Sequence, residues 1–366
     1  MNKFWRLALN SLLIVSLWWV GLSLFASYRA KAYGVTPTFP YYSLLLSYAP
    51  APVAVWGHFD GAHYLKLAGE GYVDQGTQAF FPAYPLIIRF IGQLGISLFT
   101  AARLVSFFSL VGAVILLQYL FAQRGRVLSI LLLIFPTSFY LGAVYTESFF
   151  LFLTLLFFLL LKQRHFGWAA LIAGVASGTR LVGSLLALSL LIELYPYLKS
   201  RRSLALLLPL SISGLLAYMY FLWQKFGDPL AFIHVQSMFG AGRSSGEIVM
   251  LPQVIYRYLN IFLTVSPLTL LFQRALLEFV VFVTFLGVLI SRWKQLPLSW
   301  SVYILGSLLL PTLSGTLSSL PRYVLVLLPF LLVSPKSNLK YFVLILASAV
   351  FLLILLSLFV SGQFVS

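Results

Sequence analysis

Residues 56–85 read WGHFDGAHYLKLAGEGYVDQGTQAFFPAYP, and their placement decides how the chain is laid out. This is the only long polar island between hydrophobic spans in the first two hundred residues. It holds Asp60, Glu70 and Asp74, three of the chain's eight acidic residues, together with His58, His63 and a dense set of aromatics. A chain that is 61% hydrophobic and 9% charged does not need such a cluster for anchoring. The island is therefore the first candidate for an active site.

The sequence around the island excludes a soluble domain, which runs near half apolar with about a quarter charged. The mean hydropathy is +0.99, and apolar stretches of roughly 15–25 residues recur along the chain, the length a bilayer-crossing helix needs. The alternation of a membrane barrel is absent. The expected fold class is an all-α polytopic membrane protein of about eleven transmembrane helices, one domain over 1–366, because no Pro/Ser linker or low-complexity break interrupts it. Spans are expected near 7–26, 100–123, 127–145, 147–162, 166–179, 181–198, 203–223, 275–291, 297–315, 321–335 and 340–361. A cleaved signal peptide is the rival reading for the first of these.

Net charge is +16, but the basic residues stand singly or in twos and threes between apolar spans. This is a pattern of loop anchors with anionic lipid or phosphate as partners, and not of nucleic-acid binding. Arg124/Arg126, Lys162/Arg164, Lys199/Arg201/Arg202, Arg292/Lys294 and Lys336/Lys340 mark short turns that the positive-inside rule assigns to the cytoplasm. Parity then places two long loops, 28–99 and 224–274, on the extracytoplasmic side. A crossing at 80–94 would break the parity. Pro82, Pro85 and Arg89 instead fit a helix lying at the interface. Cysteine is absent, which removes disulfides and thiolate metal sites.

Four pieces of the chain together resemble the PIG-V family, the second mannosyltransferase of GPI-anchor assembly, and its prokaryotic relatives. They are 56–72 followed by AFFPAYP (79–85), FPTSFYLGAVYTESFF (135–150), GTRLVG (178–183) and GDPLAFIHVQ (227–236), with SSLPRYVLVLLP (318–329) as a weaker fifth. One departure stands out: the family places an acid directly after the Trp, whereas Gly57 follows Trp56 here and the nearest acid is Asp60. The resemblance implies a GT-C glycosyltransferase bundle with interfacial helices in its first extracytoplasmic loop. It implies a multi-pass enzyme of a prokaryotic plasma membrane, with its active site on the extracytoplasmic face. The implied donor is a polyprenyl-phosphate sugar, with mannose as the sugar. The acceptor is left open among a glycan, a glycolipid and a protein.

Transfer from such a donor needs a base for the acceptor hydroxyl, cations for the departing phosphate and a groove open to lipid. Asp60 is the candidate base of an inverting single displacement. In a helix over 58–71 it shares a face with His63/Tyr64 and Leu67; the competing role is a helix N-cap. Trp56, His63 and Tyr64 are candidate substrate contacts, with interfacial ring anchoring as the alternative for the last two. Glu147 stands between two apolar spans and is a functional candidate by its position. It is expected to bind the acceptor, assist a metal or pair with Arg180. Arg180 and Arg322 are expected at outer ends of spans, where a guanidinium suits phosphate; snorkelling is the alternative. His234 is a candidate for phosphate or acceptor, while Asp228-Pro229 reads as a helix start. The run 240–247, GAGRSSGE, reads as a mobile loop over the substrate. No HExxH, glycine-rich phosphate loop or DxD spacing is present, so nucleotide-sugar use and a metal cage find no support and the need for a divalent metal stays open. Two other classes remain: a transporter or lipid flippase, and a noncatalytic subunit of a glycosylation complex. The transporter would need charge at the bilayer midplane, where the spans read as nearly charge-free.

Overall fold

The computed structural model describes residues 3–35, 41–121, 124–240, 242–244, 246–327 and 338–365. Among these every regular element is helical, in agreement with an all-α membrane protein. Contacts divide the chain into two compact units, and each is described by itself. The first takes Met1–Gly71, Tyr84–Leu156 and Leu332–Val365; the second takes Tyr72–Ala83 and Phe157–Leu331.

In the first unit α1 (Lys3–Tyr33) is followed by two short helices, α2 (Tyr42–Tyr48) and α3 (Ala51–Ala54), then by α4 (Asp60–Glu70) and α5 (Ala83–Gly92). After these come α6 (Leu98–Leu120), α7 (Gly125–Ile134) and the start of α8 (Glu147–Lys162). Helix α1 carries large apolar side chains outward, Leu17 at 75% and Leu24 at 67% exposure, as a lipid-facing helix does. Its other face packs on α6 and is tied at three levels. Gln118 Nε2 donates to Ser11 Oγ at 3.1 Å, Trp18 Nε1 to the Leu133 carbonyl at 2.6 Å, and Arg103 Nη2 to Ser23 Oγ at 3.2 Å. Helix α5 has 10 residues. At 1.5 Å per residue it is about 15 Å long, half of a hydrocarbon core, which fits the expected interfacial helix.

The second unit holds the rest of α8, then α9 (Phe166–Ser177), α10 (Leu186–Leu198), α11 (Leu207–Ser211) and α12 (Ser213–Phe226). It continues through α13 (Ala231–His234), α14 (Leu251–Thr264), α15 (Leu270–Arg292), α16 (Leu298–Leu309) and α17 (Leu320–Tyr323). Helix α18 (Asn338–Val360) closes the chain and returns to the first unit, packing on α1 and α7. In the second unit the backbones of α9 and α12 approach closely. A Cβ on Gly214 would stand 2.3 Å from the Gly174 carbonyl and 2.6 Å from the Gly178 amide. The Gly174-x-x-x-Gly178 spacing is thus a small-residue seam of the kind that joins membrane helices. Ser177 Oγ accepts the Leu215 N–H at 3.2 Å across it.

Four described helices are long and apolar enough to cross a bilayer: Trp5–Tyr33, Leu98–Leu120, Leu181–Leu198 and Leu270–Gln295. Arg202–Ser211 with Ser213–Phe226, bent by 52°, makes a fifth. The expected number of about eleven spans is not confirmed among the described residues, where shorter apolar helices such as Ala83–Gly92 and Phe166–Ser177 accompany the long ones. Near 127–145 the helix stops at Ile134, because Pro136 drives its neighbour Phe135 to an extended ψ of 142°. The following residues form a 3-10 turn (Ser138–Leu141) and irregular backbone up to Glu147. Part of the expected span 321–335, namely 328–335, lies outside the described residues.

Gly214→Ala is expected to destabilise the protein by about 1–3 kcal/mol or more, since its methyl meets backbone rather than a side chain that can move. Thermal unfolding in detergent micelles measures this; an unchanged midpoint would show that the seam is loose.

Candidate active site

The start of α4 is built by two segments far apart in sequence. The Val144 N–H donates to the Trp56 carbonyl at 2.9 Å, and the Tyr145 hydroxyl to the His58 carbonyl at 2.9 Å. Gly61 packs on the same strand of irregular chain: a Cβ there would be 3.2 Å from the Val144 carbonyl. Thus the pieces 56–72 and 135–150 form one structure. Arg103, in α6, is its hub. Its guanidinium stands 4.5 Å from the Trp56 ring and 4.0 Å from the Trp19 ring, and donates to the Gly142 carbonyl. The other end of α4 is closed by Arg89, whose Nε donates to the Ala68 carbonyl at 2.7 Å and Nη2 to that of Gly69 at 3.1 Å. A cation on the last carbonyls of a helix satisfies groups the helix itself leaves open.

Asp60 is the first residue of α4 and half-buried. The N-cap is Phe59, with no side-chain cap hydrogen bond, so Asp60 does not occupy the capping position its sequence context allowed. Its charge still favours the positive end of the helix. Phe59 holds φ 56°, ψ −116°, a sparsely populated region that costs an L-residue about 1–3 kcal/mol. Its ring is clamped against Phe359 at 5.9 Å and Phe364 at 5.3 Å. Backbone strain therefore sits one residue before the candidate base.

His63 lies half-buried with its ring edge-on to Tyr41 at 4.6 Å. Tyr64 is buried and edge-on to Tyr84 at 5.2 Å. The Tyr84 hydroxyl pairs with Ser106 Oγ at 3.1 Å, and Ser106 donates on to the Ala143 carbonyl at 2.8 Å. Burial raises the Tyr84 phenol above its ordinary pKa; Ser106 opposes this, the Glu147 charge adds to it and Arg103 opposes. Glu147 itself is 1% exposed at the start of α8, buried inside the first unit and not at its surface. Trp56, at 3% exposure, is a wall of this structure and not an interfacial anchor.

Gly57, the residue after Trp56, is tightly surrounded. A Cβ there would meet Leu45 Cδ2 at 2.9 Å and Phe99 Cε2 at 3.3 Å, inside the packed core. This chain has no room for an acid after the Trp without moving Leu45.

Arg180, His234 and Arg322 belong to the second unit. Arg180 and Arg322 share one ring: their guanidinium carbons lie 4.4 and 5.1 Å from the centroid of Tyr323. GTRLVG and SSLPRY therefore meet at that tyrosine. Arg322 is buried, Arg180 half-buried. The turn leading to Arg322 is pinned from several sides. Ser319 is left-handed at φ 68°; Arg243 Nη2 reaches Ser319 Oγ at 3.5 Å; and Arg257 Nη1 donates to the Gly315 carbonyl at 3.0 Å. The Tyr258 hydroxyl accepts the Leu317 N–H at 3.0 Å and donates to Glu278. His234 is exposed and its Nδ1 lies 2.7 Å from Asp228 Oδ2. Asp228 keeps a carboxyl below the usual range: slight burial works upward, but His234 and the Leu230 N–H outweigh it. Asp228 also accepts that N–H at 2.9 Å, but in a turn: the short helix starts at Ala231 with Leu230 at its N-cap, two residues beyond the start expected at Asp228-Pro229. The run 240–247 is tied down where it is described: the Ser244 N–H donates to the Ser314 carbonyl at 2.9 Å. Ala241 and Ser245 lie outside the described residues.

Residues 72–83, which include 79–83 of the AFFPAYP piece (79–85), lie in the second unit with GTRLVG and GDPLAFIHVQ. The Ala83 N–H donates to the Gly178 carbonyl at 2.9 Å, the Tyr218 hydroxyl donates to the Gln78 carbonyl at 2.7 Å, and Phe81 packs on Phe232 at 5.4 Å. Sequence reasoning missed Arg103, Tyr84, Tyr323 and above all Glu278. The spans were read as nearly charge-free at mid-depth, yet Glu278 stands in α15, the only carboxylate of an otherwise apolar stretch, buried and held by Tyr258. An acid inside a span was the available signal. Among the described residues no three His, Asp or Glu side chains gather to hold a metal ion.

Two curated proteins are similar to part of this chain. One is GPI mannosyltransferase 2 of Drosophila melanogaster, 30% identical over 114 residues, covering 25% of this chain and 24% of that protein. The other is GPI mannosyltransferase 2 of Drosophila pseudoobscura pseudoobscura, 33% identical over 116 residues, covering 26% and 25%. The match thus spans about a quarter of the length of these relatives. No known family's profile and no solved structure matches the chain. Partial similarity to mannosyltransferases and a helical membrane fold are the coarse result.

His58 gives a pH test of this structure. Burial holds it down at about 4 from 6.5, against the upward pull of its hydrogen bond to the Phe359 carbonyl at 2.9 Å. Below pH 6.5 the unfolded chain binds the proton and the folded one does not. Stability therefore falls as pH drops from 6.5 towards 4, by about 1.4 kcal/mol per pH unit, and is flat above. Thermal melts across this range are expected to slope less for His58→Gln; equal slopes would show that His58 is not the titrating group.

Proposed function

We propose that this protein is a membrane glycosyltransferase that moves a hexose, mannose, from a polyprenyl-phosphate carrier to an extracytoplasmic acceptor. Its setting is a prokaryotic plasma membrane, in keeping with the short loops between helices. The observation that carries the reading is Asp60, half-buried at the start of α4 behind a strained Phe59, on a frame made by two segments, 56–72 and 135–150, that resemble pieces of PIG-V mannosyltransferases. The partial similarity to two proteins named GPI mannosyltransferase 2 supports the sugar class.

In the reaction the acceptor oxygen forms a bond to the anomeric carbon as the bond from that carbon to the phosphate oxygen breaks. The hydroxyl proton passes to the Asp60 carboxylate, and the electron pair leaves with the carrier phosphate. A phosphate departs without protonation, so one carboxylate suffices and the anomeric configuration inverts. Arg180 and Arg322, gathered on Tyr323, are the groups proposed to hold the growing phosphate charge, since guanidinium pairs phosphate through two donors. Their electrostatic role is strongest away from bulk water, which suits the buried Arg322. His63 and Tyr64, with Trp56 behind them, line the acceptor side of α4; Glu147 acts on them through Tyr84. His234, oriented by Asp228, is proposed to contact substrate.

The charged residues inside helices that a transporter would use are engaged within the protein. Arg103 is bound to the Gly142 carbonyl, Ser23 and two indoles, and Glu278 to Tyr258.

With polyprenyl-phosphate-mannose and a glycolipid acceptor, Asp60→Asn is expected to lower kcat by about 10²-fold or more. Glu147→Gln is expected to act mainly on acceptor KM. Undiminished transfer by Asp60→Asn would remove Asp60 as base, and a collapse of kcat in Glu147→Gln alone would move that role to Glu147.

A further inference from the structure

A cleft of about 580 Å³ opens in the second unit at the foot of α9, where two basic turns meet; its lining includes Arg164, His165, Trp168, Arg201, Leu204 and Leu210. None of its described lining residues is acidic. We infer that this cleft binds the headgroup of an anionic phospholipid, the phosphate between Arg164 and Arg201 and the acyl chains along the apolar lip. The inference is independent of the glycosyltransferase reading.

Both arginines are organised around one residue. The Arg164 guanidinium stands 5.8 Å from the Tyr197 ring centroid, and the Arg201 N–H donates to the Tyr197 carbonyl at 2.9 Å. Phe166 packs on the other part of that ring at 5.6 Å. Arg164 keeps a left-handed backbone, φ 58°, a conformation glycine adopts freely and arginine does not. The turn is pinned there by the His165 N–H to the Leu160 carbonyl at 2.9 Å, so the side chain leaves the helix end at a fixed place.

The apolar half argues for a lipid over a soluble phosphate compound. Trp168 is 65% exposed beside the arginines, an amphipathic ring of the kind that seats at headgroup depth. Leu210 and Leu171, also in the lining, belong to α11 and α9. The first is in the bent helix pair that is long and apolar enough to cross a bilayer, and continues the lip towards hydrocarbon. Arginine beside an apolar rim is what an anionic lipid offers a partner for, through phosphate and chain together. Parity places both turns at the cytoplasmic leaflet, where anionic lipids carry the surface charge.

The test uses purified full-length protein in detergent, titrated with phosphatidylglycerol, phosphatidylcholine or inorganic phosphate, read by native mass spectrometry and by thermal shift. Phosphatidylglycerol is expected to remain bound and raise the melting temperature, with phosphatidylcholine at least ten-fold weaker and phosphate inert. The double substitution Arg164→Gly, Arg201→Gln is expected to lose this preference at least ten-fold. Arg164→Gly alone relaxes the left-handed backbone, so a lower phosphatidylglycerol affinity with an unchanged or raised melting temperature separates ligand loss from misfolding. Equal retention of the two lipids overturns the proposal. So does an unaltered preference in the double variant, or protection by inorganic phosphate equal to that by phosphatidylglycerol, which would make this a soluble-anion site.

Discussion

The two hydrogen bonds from 144–145 to the backbone at 56–58 are the constraint on which the candidate site depends. A membrane protein has few places for irregular backbone, because an unsatisfied peptide group buried away from water costs several kcal/mol. Here residues 135–146 leave the helical state after Pro136, and α4 begins from another irregular stretch. Each supplies partners for the other, through Val144 to Trp56 and Tyr145 to His58. Arg103 adds charge-assisted donation to Gly142 and a face for Trp56. The strain at Phe59 is held by this frame and by the aromatic side chains of 359 and 364.

The membrane class was legible from composition and apolar run length alone. The helices expected over 58–71 and within 80–94 form as α4 and α5, within a few residues, since their Gly and Pro boundaries are local signals. Motif pieces far apart in sequence also meet: 56–61 with 144–145, and GTRLVG with SSLPRY at Tyr323. What resisted reading were consequences of packing. Nothing in the string WGHFD says that position 57 faces Leu45 and Phe99, so that any side chain there must displace Leu45. About eleven spans are not confirmed, and hydropathy alone does not register that Pro136 ends a helix within an apolar run. Glu278 was overlooked through reading α15 as uniformly apolar, although one acid in such a helix carries more information than many in a loop.

The buried polar groups share a design. Several charged side chains within apolar surroundings have a neutral neighbour that shapes them: Trp19 and Trp56 for Arg103, Tyr258 for Glu278, Tyr323 for Arg180 and Arg322. Aromatic faces and hydroxyls stabilise charge without neutralising it, so the guanidiniums on Tyr323 keep their positive field for an anionic substrate. The richness of the chain in Phe, Tyr and Trp serves this as well as the lipid contact.

The central claim is that 56–85 lies on the extracytoplasmic side, and the chain's lack of cysteine makes it directly measurable. Val73, 58% exposed in the island, and Arg202, exposed in a basic turn, can each be replaced by the chain's sole cysteine and treated with a membrane-impermeant maleimide. The account predicts that Val73→Cys is labelled on intact cells and Arg202→Cys only after permeabilisation. The reverse pattern would put the island in the cytoplasm and contradict the account.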